Sequence, residues 1–196
     1  MLEHFVHTLY AYTRWANERL LDTALQLTPH ALIAKPTIAA DSIRDTLVHM
    51  MSAEQFWLIR WQGITPDFST DALDVPNIAT IRYWVVTWNG LVPMLEPNPT
   101  DFPDIPSIRT CWHAIEHQTA AFVRRQDDAT LARVVEYANV HGVADPYPLW
   151  QMMVQQANHA THHRSEVALQ LTELGQAPPS LEFISYIDTH PHEREQ

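Results

Sequence analysis

Two histidines, His159 and His163, lie four residues apart in a segment whose pattern otherwise predicts a helix. On an α-helix, residues i and i+4 share a face, with roughly 5–6 Å between their Cβ atoms. That separation lets two imidazoles bind one small cation, because zinc–nitrogen bonds are about 2.0–2.1 Å long. Two histidines alone bind a metal weakly, and His49, on a second amphipathic stretch, is the best third ligand. The sequence therefore predicts a three-histidine metal site between helices.

An ordinary position on a helix surface is the alternative for this pair. The chain holds 12 histidines in 196 residues, so pairs at this spacing also arise by chance. His162 is rotated by about 100° from His163 and is expected to face solvent or to lie behind the ligands without binding the metal. Glu166 follows the pair on the same face, and two interpretations of it stay open. It either contacts a ligand imidazole or the metal, or it is a surface glutamate.

A second motif with metal-ligand spacing lies between His113 and His117. The segment reads H-A-I-E-H and matches the H-x-x-E-H pattern of inverzincin proteases, in which Glu116 would be the general base. The chain is short for such a protease, and no third ligand follows the motif. We therefore favour a partly exposed helix face for both histidines.

Helices are the elements that must position these residues. Only 4 glycines accompany 14 prolines, and long runs with helical apolar spacing lie between the prolines. This spacing predicts four long helices, at residues 2–27, 43–62, 108–128 and 148–174. Ser107 is predicted to be the N-cap of the third helix.

Two other segments interrupt the helical pattern. Residues 64–106 carry seven prolines, but 78–95 is apolar, which predicts a short extra helix or an ordered insertion. The strand-like 133–137 and the turn-forming 139–142 predict a small β-hairpin. The predicted fold class is all-α, a four-helix bundle in a single domain of residues 1–196 with the hairpin and the inserted segment.

Charge and cysteine content restrict the partners and the compartment. The formal net charge is −11, from 12 Lys+Arg and 23 Asp+Glu, so we expect no nucleic-acid partner. A single cysteine, Cys111, excludes an intrachain disulfide and suits a reducing cytoplasm. No basic segment precedes an apolar block near Glu3, and no apolar run approaches 18 residues. We expect a cytoplasmic protein without a signal peptide or a membrane partner.

Several separated blocks form a recognisable pattern. They read Y-T-R-W-A-N-E-R-L-L at 12–21, L-V-H-M-M-S-A-E-Q-F-W-L-I-R-W-Q-G at 47–63, Y-P-L-W at 147–150, N-H-A-T-H-H-R-S-E at 158–166 and L-T-E-L-G-Q-A-P-P at 171–179. Together the blocks resemble the DinB family, within the DinB/YfiT-like metalloenzymes. The chain departs from that family at Ser165-Glu166, where many members have Gly-Gln. The segment at about 67–100 also looks longer than in typical relatives and is expected to be an insertion.

The resemblance implies a four-helix bundle with a long crossover connection, often forming homodimers. It also implies a divalent metal held by His49, His159 and His163, the same residues that helical geometry suggests. Zinc is the expected ion, with nickel, manganese or iron as alternatives. No catalytic side chain is assigned.

Function is predicted from the open coordination of such a site. Three neutral histidines leave at least one position open, which is the pattern of catalytic zinc. Relatives in the wider superfamily include transferases and isomerases that use low-molecular-weight thiols, so the resemblance implies a small-molecule substrate and a thiol-dependent, transferase-like activity. One alternative is a metal-dependent hydrolase that activates water. Another is a non-catalytic, stress-induced protein whose metal braces the bundle.

Overall fold

The computed structural model describes most of the chain. It covers residues 1–37, 39, 41–62, 80–87, 90–136, 138–139, 142–143 and 146–191. The four long helices in these ranges are α1 (Leu2–Ala24), α3 (Ile43–Trp61), α4 (Ile105–Val123) and α6 (Leu149–Glu173). Three short helices accompany them: α2 (Pro29–Ile33), α5 (Asp128–Ala132) and α7 (Phe183–Thr189).

The four long helices pack as a bundle in which α1 and α3, consecutive long helices in the chain, are not adjacent. Both α1 and α3 contact α4 and α6, so α1 and α3 lie diagonally across the bundle. The connection from α3 to α4 is long, and the other helix-to-helix connections are shorter. The predicted all-α fold with a small hairpin is confirmed, and α3 and α6, which carry the three histidines, are adjacent.

Two apolar clusters fill the bundle because each long helix buries one face. One cluster surrounds Leu20, Leu47 and Leu171, all fully buried. The second surrounds Trp61 and Met153 near the other ends of the helices. Burial of a large aliphatic or aromatic side chain contributes roughly 1.5–3 kcal/mol relative to exposure, so these clusters hold the helices in register.

Helix ends follow the capping chemistry of the sequence, with one correction. Ser42 caps α3, its hydroxyl accepting from the Asp45 N–H at 3.2 Å. The prediction that Ser107 caps the third helix is wrong, because α4 begins two residues earlier. Asp104 is the N-cap and accepts from the Ser107 N–H at 2.9 Å, completing a capping box. A carboxylate also interacts better than a hydroxyl with the positive end of the helix dipole.

Two alternatives were predicted for the inserted segment, a short extra helix or an ordered insertion. Its described part contains two strands at 80–87 and 90–97, so the helix is wrong there. Strand β1 (Thr80–Thr87) pairs with β2 (Gly90–Pro97) in antiparallel register, and β2 contacts α3. The β1 sequence T-I-R-Y-W-V-V-T is rich in β-branched and aromatic residues, which favour strands. Residues 63–79 and 88–89 lie outside the described residues.

A small β-structure connects α5 to α6. Strand β3 (Val134–Val135) pairs with β6 (Tyr147–Pro148), and β4 (Ala138–Asn139) pairs with β5 (Gly142–Val143). The predicted hairpin is confirmed. After it α6 runs without interruption until Gly175, whose φ of 73° ends the helix.

None of the helices in the described ranges combines the length and the apolar character that crossing a bilayer requires.

Candidate metal centre

Three imidazoles meet at the contact between α3 and α6. The ring centroid of His49 lies 5.1 Å from that of His159 and 4.6 Å from that of His163. The rings of His159 and His163 are 4.5 Å apart. One ring nitrogen of each histidine lies within 4.8 Å of the other two. The structure therefore brings together all three histidines that the sequence singled out.

Helix packing explains this convergence. His159 and His163 are one turn apart on α6 and present their rings on one face. His49 lies near the middle of the adjacent helix α3, beside the buried residues Val48 and Met50. All three rings are partly buried, so they lie at the edge of the core and not within it.

His159 has the clearest unmet requirement for a ligand. Its Nε2 atom is buried and has no hydrogen-bond partner in the described part of the chain. Burial, followed by the neighbouring His163 and His49, lowers the pKa of His159 to about 4. The ring is therefore neutral near pH 7, and a neutral imidazole is the form that binds a metal. A divalent ion would satisfy the orphaned nitrogen, so the residues present fit such an ion.

Glu166 orients the second imidazole of α6. Its Oε2 lies 2.6 Å from Nδ1 of His163 and its Oε1 lies 3.1 Å from Nε2 of His162. Burial lowers the pKa of His163, and the contact with Glu166 opposes that shift. With Nδ1–H donating to the carboxylate, Nε2 of His163 keeps its lone pair for a ligand. Of the two interpretations of Glu166, the structure supports contact with an imidazole.

His162 lies outside the group of three. Its side chain is 70% exposed, as the sequence predicted. His162, His163 and Glu166 form a second group whose potential ligand atoms lie within 4.8 Å of one another. In this group each carboxylate oxygen of Glu166 already contacts one of the two histidines.

A cavity lies along the same pair of helices. Its volume is about 470 Å³. It is lined by Trp57, Arg60, Tyr147, Gln151, Met152 and Gln155. Gln155 precedes His159 by one helical turn, and Trp57 follows His49 by about two turns. The α6 residues of this lining, Gln151, Met152 and Gln155, were not singled out from the sequence, although the spacing of Gln155 from His159 was a usable signal.

The H-x-x-E-H motif on α4 does not form a shared site. His113 contacts Glu18 of α1, with 2.5 Å between Nε2 and Oε1, and His117 is exposed. Glu116 points inward and is only 4% exposed. The group that can hold a metal here joins His113 to Glu18 and Glu116 and leaves out His117. Partly exposed positions for both histidines, the favoured interpretation, are confirmed.

The whole chain is similar to one known protein family. A family model described as the DinB family matches residues 1–196, which is the full length. No curated protein matches the chain significantly.

Proposed function

This chain belongs to the DinB family, and we propose that it is a metalloenzyme that activates a small thiol at an ion held by His49, His159 and His163. The observation that carries the proposal is the buried, unpartnered Nε2 of His159 within the three-histidine group. Such a nitrogen is costly to leave unsatisfied, and metal ligation is the chemistry that three converging imidazoles perform best.

The bound ion would supply Lewis acidity, lowering the pKa of a water or thiol at a remaining coordination position. Zinc is the proposed ion, because it accepts both imidazole and sulfur ligands. Within the described residues, no fourth His, Cys, Asp or Glu joins the group of three. An open position supports a catalytic role over a purely structural one.

The protein side chains would hold and orient the reactants. The three imidazoles fix the position of the ion, and Glu166 holds the ring of His163 in one tautomer. The 470 Å³ cavity, whose lining residue Gln155 lies one helical turn before His159, provides room for a small substrate. Its amide side chains, Gln151 and Gln155, can donate and accept hydrogen bonds, and Trp57 offers an apolar wall.

A hydrolase is the second candidate function. The same three histidines and the same cavity would serve water activation, because the open position does not discriminate between water and a thiol. The third candidate, a stress-induced protein with a structural metal, requires a closed coordination sphere. Substrate tests are therefore needed to separate the first two.

Cobalt substitution provides a direct test. Cobalt-loaded protein titrated with 2-mercaptoethanol should develop the near-ultraviolet absorption of a sulfur-to-cobalt charge transfer, and the His163→Ala variant should not. Zinc-loaded protein should then accelerate the reaction of the thiol with 1-chloro-2,4-dinitrobenzene. Hydrolysis of p-nitrophenyl acetate without any response to thiol would favour the hydrolase. A cobalt spectrum that indicates four protein ligands, without either activity, would contradict both enzymatic functions.

A further inference from the structure

A second cavity lies between α1 and α4, apart from the three-histidine group. Its volume is about 400 Å³, within the range of small-molecule sites. Arg14 and Trp15 of α1, Glu116 and Thr119 of α4, Glu54 of α3 and Tyr186 of α7 are among the side chains that line it. No lining residue comes from α6, which supplies two of the three histidines. The cavity therefore shares no lining residue with the three-histidine group.

The inner wall of this cavity holds a carboxylate with an unsatisfied oxygen. Glu116 is 4% exposed, and its Oε1 accepts from Nδ2 of Asn17 at 3.5 Å. Its Oε2 is buried and has no hydrogen-bond partner in the described chain. The nearest cation, Arg14, places Nε 3.6 Å from Oε2, too far for a hydrogen bond, and its side chain is 58% exposed. A buried acceptor of this kind requires a donor.

A second buried glutamate, Glu54, also lines the cavity. Glu54 is also 4% exposed, and its Oε2 accepts from Nε1 of Trp112 at 2.9 Å. Burial raises the pKa of both glutamates, and the proximity of Glu54 further raises that of Glu116, to about 8. The Glu116 carboxyl is therefore largely protonated at pH 7, and a cationic donor placed beside it would favour the carboxylate form and release that proton.

Aromatic side chains form another part of the cavity wall. Trp15 and Tyr186 contact each other edge to face, with ring centroids 5.6 Å apart, and Tyr10 also lines the cavity. Aromatic faces bind both apolar groups and organic cations. The cavity therefore combines two buried glutamates with aromatic side chains.

We propose that this cavity binds a small organic amine, whose protonated nitrogen donates to Oε2 of Glu116 while its apolar part packs against Trp15 and Tyr186. A carboxylate ligand would place its charge beside two buried glutamates. Divalent metal binding at Glu18, His113 and Glu116 is disfavoured, because Glu18 already contacts both His113 and Arg109.

Three probes of matched size test the proposal. Titration calorimetry at pH 7 should show that the intact protein binds benzylamine, which is protonated, more tightly than benzyl alcohol and benzoate. Glu116→Gln keeps the shape of the side chain but cannot become a carboxylate when the amine binds, so it should weaken benzylamine binding by about 10–100-fold. Trp15→Leu should also weaken it. His159→Ala, which disrupts only the three-histidine group, should bind benzylamine as the parent protein does.

Several outcomes of these titrations would contradict the proposal. Absence of benzylamine binding, tighter binding of benzyl alcohol or benzoate, or unchanged binding in Glu116→Gln would each overturn the proposal. Displacement of benzylamine by zinc in the His159→Ala background would assign the cavity to a metal instead. Circular dichroism of each variant shows whether the helices are intact, and Trp15→Leu provides a second test if Glu116→Gln does not fold.

Discussion

At the scale of single residues, the hydrogen bond between His163 and Glu166 orients one of the three proposed metal ligands. The resemblance to the family implies Gly-Gln in many relatives where this chain has Ser165-Glu166. A glutamate carboxylate and a glutamine amide oxygen both accept from Nδ1–H of an imidazole. The 2.6 Å contact of Glu166 shows that the change preserves an acceptor for the His163 ring.

Replacement of Glu166 should therefore affect metal affinity without removing a ligand. We expect Glu166→Ala to weaken binding by about 10–100-fold, because the ring of His163 loses its orienting acceptor. Glu166→Gln should retain most of the affinity. Competition with a chromophoric chelator measures both, with His162→Ala as the control for an exposed neighbour. Unaltered affinity in Glu166→Ala would mean that the hydrogen bond does not orient a ligand.

Glu116 should make the stability of the protein depend on pH. Burial raises its pKa from 4.5 to about 8, so the folded chain keeps a proton that the unfolded chain loses. Between these values the folded state binds more protons, and the free energy of unfolding falls as pH rises. The loss attributable to Glu116 is on the order of a few kcal/mol.

Urea unfolding at several pH values between about 5 and 8 checks this dependence. The Glu116→Gln variant, which has no proton to lose, should show a flatter profile than the parent protein. Glu54, which is also buried, should leave a residual slope. Identical slopes in the two proteins would show that Glu116 ionises in the folded state as it does in water.

At the scale of elements, periodicity predicted the long helices because each buries one continuous apolar face. Their ends were harder to predict, since several polar residues compete for each cap. Near the start of α4 both Asp104 and Ser107 can cap, and only the backbone geometry shows that they form one capping box. The strand pair of the insertion was also missed, because its apolar run fits a strand or a short helix equally well.

The capping box at α4 leads to a prediction at this scale. Asp104→Ala should lower the free energy of unfolding by about 0.5–2 kcal/mol, because the Ser107 N–H loses its acceptor. Ser107→Ala should cost less, since the N–H of Asp104 lies 3.4 Å from the Ser107 hydroxyl. Urea denaturation of the two variants and the parent provides the comparison. A larger loss for Ser107→Ala would restore Ser107 as the main cap.

At the scale of the whole molecule, the bundle creates sites that spacing alone cannot specify. The sequence identified His159 and His163 as a pair because both lie on one helix. The pairing of α3 with α6, which brings His49 to them, depends on tertiary packing, and the resemblance to relatives supplied it. Residues from four helices line the cavity at Glu116, so no local sequence pattern predicts it. The expected homodimer and single-domain boundary stay predictions.

The central claim is that three histidines hold one metal ion, and elemental analysis tests it most directly. Untagged protein reconstituted with zinc and then dialysed should retain about one ion per chain. The His159→Ala/His163→Ala variant should retain little while keeping its helicity, because two of the three ligands are lost. The matched control, His113→Ala/His117→Ala, should bind as the parent does. Equal metal content in the parent and the His159→Ala/His163→Ala variant would contradict the account.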